Sequence, residues 1–319
     1  MERNLALEVV RVTEAAALAS ARLMGRGDAD ACDSAAIGAV RKAFASVEIA
    51  GEVVIGESRG LVDGALSVGA TLGEGVENGA PRMDVVIDAL EGRRLCATGL
   101  PNAISVVALA PAGQFLRAPA TYMEKIAVGP RARGAIDLSL PPIDNLRRIA
   151  DAKGVYIDDL TVCILDRPRH EELVEQIRRA GARMRLIQDG DVAGAVATCT
   201  PHSGIDVLMG IGGAQEGIAA AAAVRCAGGD LQGRLLPHDE VTRAETDALG
   251  GLDRIYRVEE LAGDNVVFAA TGVTTGDLLR GVRFRARGAS THSVVMRLAS
   301  GTVRFIETEH TFDREPFYG

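Results

Sequence analysis

The stretch IDVLMGIGGAQEG, residues 205–217, decides the fold class of this chain. Its first five residues are mostly apolar and predict a short buried strand, because glycines follow them at once. An alanine-rich segment, 215–226, then predicts a helix. The same order recurs upstream, with strands predicted at 162–165 and 184–187 and helices at 170–180 and 191–199. Strands that alternate with helices at this spacing indicate an α/β fold with a parallel, layered arrangement.

The rest of the chain gives a weaker pattern. The predicted elements are helices at 4–23 and 33–44, a β-rich run at 47–55, a buried strand at 83–87, a hairpin at 103–118, and short strands at 265–270, 291–298 and 303–306. We expect a junction near 140–160. Residues 1–150 and 151–319 would then form two closely packed lobes or, alternatively, one large domain.

Composition excludes some classes of function. The formal net charge is −8, whereas nucleic-acid binders usually carry a basic surface, so we expect no nucleic-acid partner. The sequence has no signal peptide and no apolar run of about 18 residues, so we expect no membrane association and a cytoplasmic location. The five cysteines include no C-x-x-C pair and are predicted to be buried free thiols.

Acidic residues in glycine-marked turns are candidates for a metal site. They are Asp33, Glu57, Asp88, Glu91 and Glu216. Ligands of open α/β sheets lie outside the carboxyl ends of the strands, so turns of this kind can converge. Carboxylates without histidine or cysteine partners favour hard divalent cations such as Mg²⁺ or Mn²⁺. A single acidic residue in a turn is more often a cap or a solvated side chain, so the pattern alone leaves both interpretations open.

Seven short segments carry a resemblance to a known family. They are GRGD (25–28), VIGE (54–57), DVVID (84–88), YMEK (122–125), RPRH (167–170), DGDV (189–192) and GIGGAQEG (210–217), and ATGVTTGDLL (270–279) follows them. In this order and at nearly this spacing they resemble segments of the class II fructose-1,6-bisphosphatases, over about residues 4–310.

The resemblance implies a fold and an activity. The fold is a layered α-β-α-β-α sandwich of the sugar-phosphatase (fructose bisphosphatase/inositol monophosphatase) superfamily, with a metal-binding phosphatase lobe at 1–150 and a sugar-phosphate-binding lobe at 151–319. The activity is hydrolysis of the 1-phosphate of fructose 1,6-bisphosphate, or of a related phosphosugar, by a water that Mn²⁺ or Mg²⁺ activates. A place in gluconeogenesis and a homodimer or homotetramer are also implied.

The resemblance also implies site residues. The metal ligands are Asp33, Glu57, Asp88, Glu91 and Glu216, and the residues that hold the sugar phosphate are Tyr122, Arg167, Arg169, Asp189, Asp191 and Gly213. Arginine forks suit phosphate oxygens, and Gly212 with Gly213 at a helix start lets backbone N–H groups approach an anion. The catalytic residues are Glu57, Asp88 and Glu91, together with Arg93, which stands in the catalytic motif.

The catalytic motif departs from the family pattern at several positions. The pattern D-P-I-E-G-T reads DALEGR at 88–93, so that Arg93 replaces the threonine that orients the attacking water. The pattern G-E-G-E-x-D reads GESRGL at 56–61, so that Arg59 and Leu61 replace two acids. Asp63 could substitute for one of them if the loop has shifted. Arginine has no hydroxyl and cannot act as a base.

These departures leave three hypotheses. The first is an active, metal-dependent sugar-bisphosphatase. The second is a divergent enzyme of the same fold that acts on another phosphosugar or cyclitol, and the third is a non-catalytic sugar-phosphate binder or partner subunit. A nicotinamide-dependent oxidoreductase is disfavoured because residues 210–213 lack the G-x-G-x-x-G spacing.

Overall fold

A computed structural model describes residues 5–56, 66–75 and 79–312. The helices are α1 (Leu5–Ala21), α2 (Ala29–Phe44), α3 (Arg93–Thr98), α4 (Pro142–Lys153), α5 (Glu171–Ala180), α6 (Asp191–Thr198), α7 (Ala214–Cys226), α8 (Glu240–Ala248) and α9 (Val258–Leu261). The strands are β1 (Ala50–Ile55), β2 (Thr71–Leu72), β3 (Arg82–Glu91), β4 (Ile104–Pro111), β5 (Tyr122–Val128), β6 (Thr161–Leu165), β7 (Arg183–Ile187), β8 (Val207–Gly213), β9 (Asp230–Leu236), β10 (Ile255–Arg257), β11 (Val267–Gly272), β12 (Arg283–Arg285), β13 (Gly288–Arg297) and β14 (Thr302–Thr311). The α/β class expected from the sequence is confirmed.

The chain divides into two compact units, one formed by Met1–Phe115 with Asp264–Gly319 and the other by Leu116–Gly263. The sequence instead led us to expect a junction near 140–160. The observed division has a simple cause: β11, which follows the second unit in the chain, pairs with β4 of the first sheet, and β13 continues that sheet. Each unit therefore contains one complete sheet.

The first unit is built on a mixed sheet with the strand order β12-β13-β11-β4-β3-β1-β2, and β14 pairs with β13. Strands β4 and β11 are buried along almost their whole length, and apolar residues fill them nearly without interruption. Such continuous runs are typical of strands that are covered on both faces. Helix α1 packs against β11 and β13, and α2 packs against α1, so that these two helices and the sheet enclose one apolar core.

The second unit is built on a sheet with the order β10-β9-β5-β8-β6-β7. Strands β8, β6 and β7 are parallel, as the alternation of strands and helices predicted. Strand β5 runs antiparallel to β8, and its first residue, Tyr122, lies opposite Gly213, the last residue of β8. The carboxyl ends of three parallel strands and the amino end of β5 therefore share one edge of the sheet.

The predicted hairpin at 103–118 is wrong. Strand β4 is present, but no second strand returns alongside it. The buried carboxylate of Asp84 provides the reason: its Oδ2 accepts hydrogen bonds from the N–H groups of Gly113, Gln114 and Phe115, at 2.7, 3.1 and 3.4 Å. These amides are therefore bound to a side chain, and both edges of β4 are paired with other strands, β3 and β11. The chain continues into the second unit at Leu116.

No helix in the described part of the chain is both long enough and apolar enough to cross a bilayer.

The turn that Asp84 holds gives the first prediction. The Asp84→Ala variant removes the acceptor of the Gly113 and Phe115 N–H groups and leaves the Gln114 N–H only the carbonyl of Pro111, at 3.2 Å. We expect it to lose about 3 kcal/mol of unfolding free energy. Urea unfolding followed by circular dichroism measures this loss. Glu48 is an exposed carboxylate of the same unit, so Glu48→Ala serves as the control and should stay within about 0.5 kcal/mol of the native chain. Equal stability of the two variants would contradict the role given to Asp84.

Candidate functional site

The residues predicted to hold a sugar phosphate lie at one edge of the second sheet. Each sits at or just beyond a strand end of that edge: Arg167 and Arg169 after β6, Asp189 and Asp191 after β7, Gly213 at the end of β8, and Tyr122 at the start of β5. Glu216, a predicted metal ligand, lies in the first turn of α7, directly after β8. The topology therefore brings all seven residues to the same edge, which is where ligands bind in open α/β sheets.

Two glycines form the floor of this edge. A Cβ atom on Gly213 would come within 1.7 Å of Oε2 of Glu216, and one on Gly212 would come within 2.1 Å of Oδ2 of Asp191. The two carboxylates therefore lie directly against the backbone of residues 212 and 213. Any side chain on this floor would displace them, so the glycines are required by close approach and not by their dihedral angles.

A buried lysine compensates the charge of these carboxylates. Lys125 is only 2% exposed, its Nζ lies 2.5 Å from Oδ2 of Asp191, and it donates a hydrogen bond of 3.0 Å to the carbonyl of Gly213. Burial and the neighbouring Asp191 raise the pKa of Glu216, while Lys125 acts in the opposite direction. One ammonium thus faces two carboxylates, and the group carries an excess of negative charge when both are ionised.

Lys125 was not among the predicted site residues, although the sequence contains a signal for it. In β5, Met123 and Lys125 are two residues apart and both are buried, so they lie on the same face of the strand. A lysine at a core-facing position of a strand requires a buried partner, because an unpaired ammonium is very costly to bury. Asp191 is that partner.

The turn after β6 is fixed by two consecutive side chains that bind the backbone of Ile211. The ring of His170 accepts a hydrogen bond at Nε2 from the N–H of Ile211, at 2.8 Å, and donates from Nδ1 to the carbonyl of Leu165, at 2.7 Å. Arg169 donates from Nε and Nη2 to the carbonyl of Ile211, at 3.1 and 2.8 Å. These bonds join β6 to β8 beyond Cys163 and Leu208, the last residues that the two strands pair in register.

His170 is held neutral by this arrangement. Its Nε2 must remain an acceptor, and burial lowers the pKa of the ring, with a further contribution from the charges of Arg169 and Arg167. The ring fits because Gly210 has a φ of +130° and no side chain; a Cβ there would lie 2.9 Å from Nε2. His170 is buried, whereas Arg169 is exposed.

Arg169 is further positioned by an aromatic side chain. Its Cζ lies 5.2 Å from the centroid of the Tyr122 ring, within the range of a cation–π interaction, and Tyr122 in turn packs edge-on against His238. The exposed guanidinium is therefore held on one side by a carbonyl and on another by a ring. It remains available to an anion that approaches from solvent.

The first unit contains the other predicted metal ligands that the structure describes. Asp33 is buried in α2, Glu91 is buried at the end of β3, and Asp88 is half-buried three residues earlier. The pairing of β3 with β4 shifts register between Asp88 and Glu91. Irregularities of this kind redirect side chains and are frequent beside active sites.

Arg93 lies beside one of these carboxylates. Gly92 has a φ of +79° and ends β3, so that α3 begins at Arg93. Its Nη1 is 2.8 Å from Oδ1 of Asp30 and 3.9 Å from Oδ2 of Asp33. Burial raises the pKa of Asp33, and the Arg93 charge partly offsets this effect.

The predicted ligands have side chains of the type that binds a divalent cation, but their positions and partners do not all suit one. All five are carboxylates, which hard cations prefer. Across residues 5–56, 66–75 and 79–312, however, no three His, Cys, Asp or Glu side chains gather in a way that could hold a metal ion. The charge of Asp33 is already partly offset by the guanidinium of Arg93. Glu57, Arg59, Leu61 and Asp63 lie outside the described residues.

Comparison with known proteins gives a match over almost the whole chain. The family model described as bacterial fructose-1,6-bisphosphatase, glpX-encoded, matches residues 3–310. The chain is 44% identical over 331 aligned residues to the fructose-1,6-bisphosphatase class 2 of Haemophilus influenzae, an alignment that covers 98% of each protein. It is 43% identical over 332 aligned residues to the fructose-1,6-bisphosphatase 1 class 2 of Escherichia coli K12, with 99% of this chain and 97% of that protein covered.

The glycine floor gives a second prediction. In Gly212→Ala the added methyl meets the carboxylate of Asp191 and comes within 2.9 Å of Nζ of Lys125. We expect the variant to lose about 3 kcal/mol of unfolding free energy, because the buried ion pair cannot relax without losing its contact. Gly38→Ala is the control, since its methyl meets nothing within 4 Å. Thermal unfolding compares the two, and a Gly212→Ala variant as stable as the control would refute the close packing.

His170 gives a third prediction, on pH. The unfolded ring takes up a proton near pH ~6.5, whereas the folded ring resists it because its pKa is lowered. The contribution of His170 to stability is therefore complete above about pH 7 and decreases as the pH falls through about 6.5 toward the lowered folded pKa. The midpoint of thermal unfolding should decrease more steeply with falling pH for the native chain than for His170→Ala.

The matched control for this experiment is His202, which is exposed. The His202→Ala variant should follow the native pH profile. Identical profiles for the native chain and His170→Ala would show that the ring is not held neutral.

Proposed function

Because the chain belongs to the family of bacterial, glpX-encoded fructose-1,6-bisphosphatases, we propose that it is a metal-dependent phosphatase that removes a phosphate group from fructose 1,6-bisphosphate or a closely related phosphosugar. The single observation that carries this proposal is the edge of the second sheet, where every residue that the resemblance assigns to the sugar phosphate is assembled within one unit.

The charges at this edge suit a phosphosugar. Arg167 and Arg169 supply guanidinium forks, which match phosphate oxygens in geometry and charge. Arg169 is held in place for this role, since its Nε and Nη2 donate to the carbonyl of Ile211 and the Tyr122 ring lies beside the guanidinium, while the side chain remains exposed. Asp189 and Asp191 offer carboxylate oxygens that can accept hydrogen bonds from sugar hydroxyls.

We assign Lys125 a positioning role within the same proposal. Its ammonium holds the carboxylate of Asp191 against the backbone of Gly212 and Gly213, so that the orientation of Asp191 is set before substrate arrives. A preorganised acceptor loses less conformational entropy on binding than a mobile one.

The reaction that fits the family is hydrolysis of a phosphate monoester. A water oxygen bonds to phosphorus, the bond between phosphorus and the sugar oxygen breaks, and the sugar hydroxyl and inorganic phosphate are released. A divalent cation, when bound, lowers the pKa of water and stabilises negative charge on phosphate. We assign the carboxylates of Glu57, Asp88 and Glu91 to the catalytic site, where they can accept the proton of the attacking water.

The more detailed parts of the proposal are those that the family resemblance implies. They are Mn²⁺ or Mg²⁺ as the cation, Asp33, Glu57, Asp88, Glu91 and Glu216 as its predicted ligands, a cytoplasmic location and a homodimer or homotetramer. The carboxylates of Asp191 and Glu216 lie against the glycine floor with one ammonium, Lys125, beside them, so a cation bound at Glu216 would compensate its charge when ionised. At Asp33 the guanidinium of Arg93 already lies within 3.9 Å.

A phosphate-release assay tests the proposed function. With fructose 1,6-bisphosphate and Mn²⁺ we expect release by the native chain, and faster release, by about 10²-fold, from a variant carrying Arg93→Thr and Leu61→Asp, because these changes restore the family's water-orienting pair. No release from fructose 1,6-bisphosphate or from a panel of phosphorylated sugars and cyclitols would overturn the proposal. Thermal stabilisation by fructose 1,6-bisphosphate without turnover would instead identify a non-catalytic binder.

Arg169 provides a test of the binding edge itself. In Arg169→Ala the fork is lost, and we expect KM to rise at least about tenfold with little change in kcat, because a ground-state phosphate contact is removed. Arg169→Lys should recover only part of this loss, since an ammonium cannot form the bidentate contact. Arg178→Ala removes an exposed arginine of α5 and should leave both constants unchanged.

A further inference from the structure

Arg93 combines two properties that are not explained by a role in packing. It stands where the family motif has threonine, and its guanidinium reaches the carboxylates of Asp30 and Asp33, at 2.8 and 3.9 Å. Asp30 is largely exposed, so its ion pair with Arg93 contributes little to stability. Asp33 is only 6% exposed and therefore depends on a nearby cation if it is to remain ionised.

The position of Arg93 is fixed by the segment around it. The short helix α3 is held at its end by the N–H groups of Gly25 and Gly27, which donate to the carbonyls of Cys96 and Ala97 at 2.9 and 2.8 Å. Both glycines have positive φ, at +73° and +80°, so this tight loop tolerates few other residues. The guanidinium is thus presented to Asp33 from an anchored backbone.

A guanidinium here and a divalent ion on Asp33 would compete for the same carboxylate. An ion ligated by Oδ2 would lie about 2.2 Å from that oxygen, hence within about 6 Å of Nη1 of Arg93. At this separation the ion and the guanidinium repel each other. Each therefore weakens the interaction of Asp33 with the other. A threonine at position 93 would impose no such repulsion.

We propose that Arg93 takes the place of one divalent cation at Asp33, so that this chain binds one ion fewer than it would with an uncharged residue at position 93. The inference rests on the proposed function, because Asp33 is a metal ligand only by the family resemblance. In this arrangement the buried carboxylate receives its positive charge from the chain itself. The other predicted ligands keep their role toward a divalent ion.

The number of Mn²⁺ ions bound per chain tests the proposal. The metal-free full chain is titrated with Mn²⁺, free Mn²⁺ is measured by its electron paramagnetic resonance signal, and the bound number at saturation is compared among variants. We expect Arg93→Ala and Arg93→Thr to bind about one more ion per chain than the native protein. Arg93→Lys keeps a positive charge and should retain the native number.

The matched control is Arg94→Ala, which removes the same charge from the adjacent, exposed position of α3. It should bind as many ions as the native chain, since Arg94 is not the residue that reaches Asp33. An increase in Arg94→Ala equal to that in Arg93→Ala would overturn the proposal, because the effect would then come from net charge. Equal numbers in the native chain, Arg93→Ala and Arg93→Thr would also overturn it.

This experiment distinguishes a failure of the proposed phosphatase activity from a failure of the proposed role of Arg93. Phosphate release is measured on the same samples, and its absence in all of them counts against the proposed function only. A larger number of ions in Arg93→Ala supports the role of Arg93 whether or not that variant hydrolyses fructose 1,6-bisphosphate. Equal numbers combined with phosphate release would remove the role of Arg93 and leave the phosphatase intact.

Discussion

The ion pair between Lys125 and Asp191 is the interaction on which the binding edge depends. Both side chains are almost fully buried, and either one alone would be a strongly unfavourable charge in the interior. The pair joins β5 to the start of α6 and lies directly over Gly212 and Gly213. The positions of Asp191 and Glu216 follow from it, because the lysine and the glycine floor together leave them little freedom.

A buried carboxylate has a cationic side chain beside it in both units, but the cation is supplied differently. In the second unit a buried lysine compensates the charge of Asp191. The ionised carboxylate of Glu216 would add a second negative charge beside this lysine, which suits a bound cation. In the first unit a half-buried arginine, Arg93, reaches Asp33. A lysine within a strand is part of the core, whereas an arginine at the start of a six-residue helix can be exchanged without rebuilding the sheet. The arginine beside Asp33 is therefore easier to replace by mutation than the lysine beside Asp191.

The fold could be predicted best where local signals agreed. From β6 to α7 the strands and helices alternate and glycines mark their ends, so their order was predicted from the sequence. The hairpin at 103–118 failed because a side chain distant in sequence, Asp84, binds the amides that would have formed its second strand. Lys125 was missed for a related reason: a buried polar residue is identified by its partner, and the partner, Asp191, lies far away along the chain.

The residues proposed to bind the sugar phosphate and the altered catalytic motif lie in different parts of this chain. The residues assigned to the sugar phosphate belong to the second unit, whereas the departures from the family pattern, at positions 59, 61 and 93, belong to the first. Changes confined to one unit need not disturb the charge balance of Lys125, Asp191 and Glu216 in the other. The effects proposed for Arg93 on metal binding and rate therefore concern residues other than those proposed to recognise the phosphosugar. Because of this separation, a member of the bisphosphatase family can combine the proposed binding edge with an altered catalytic motif.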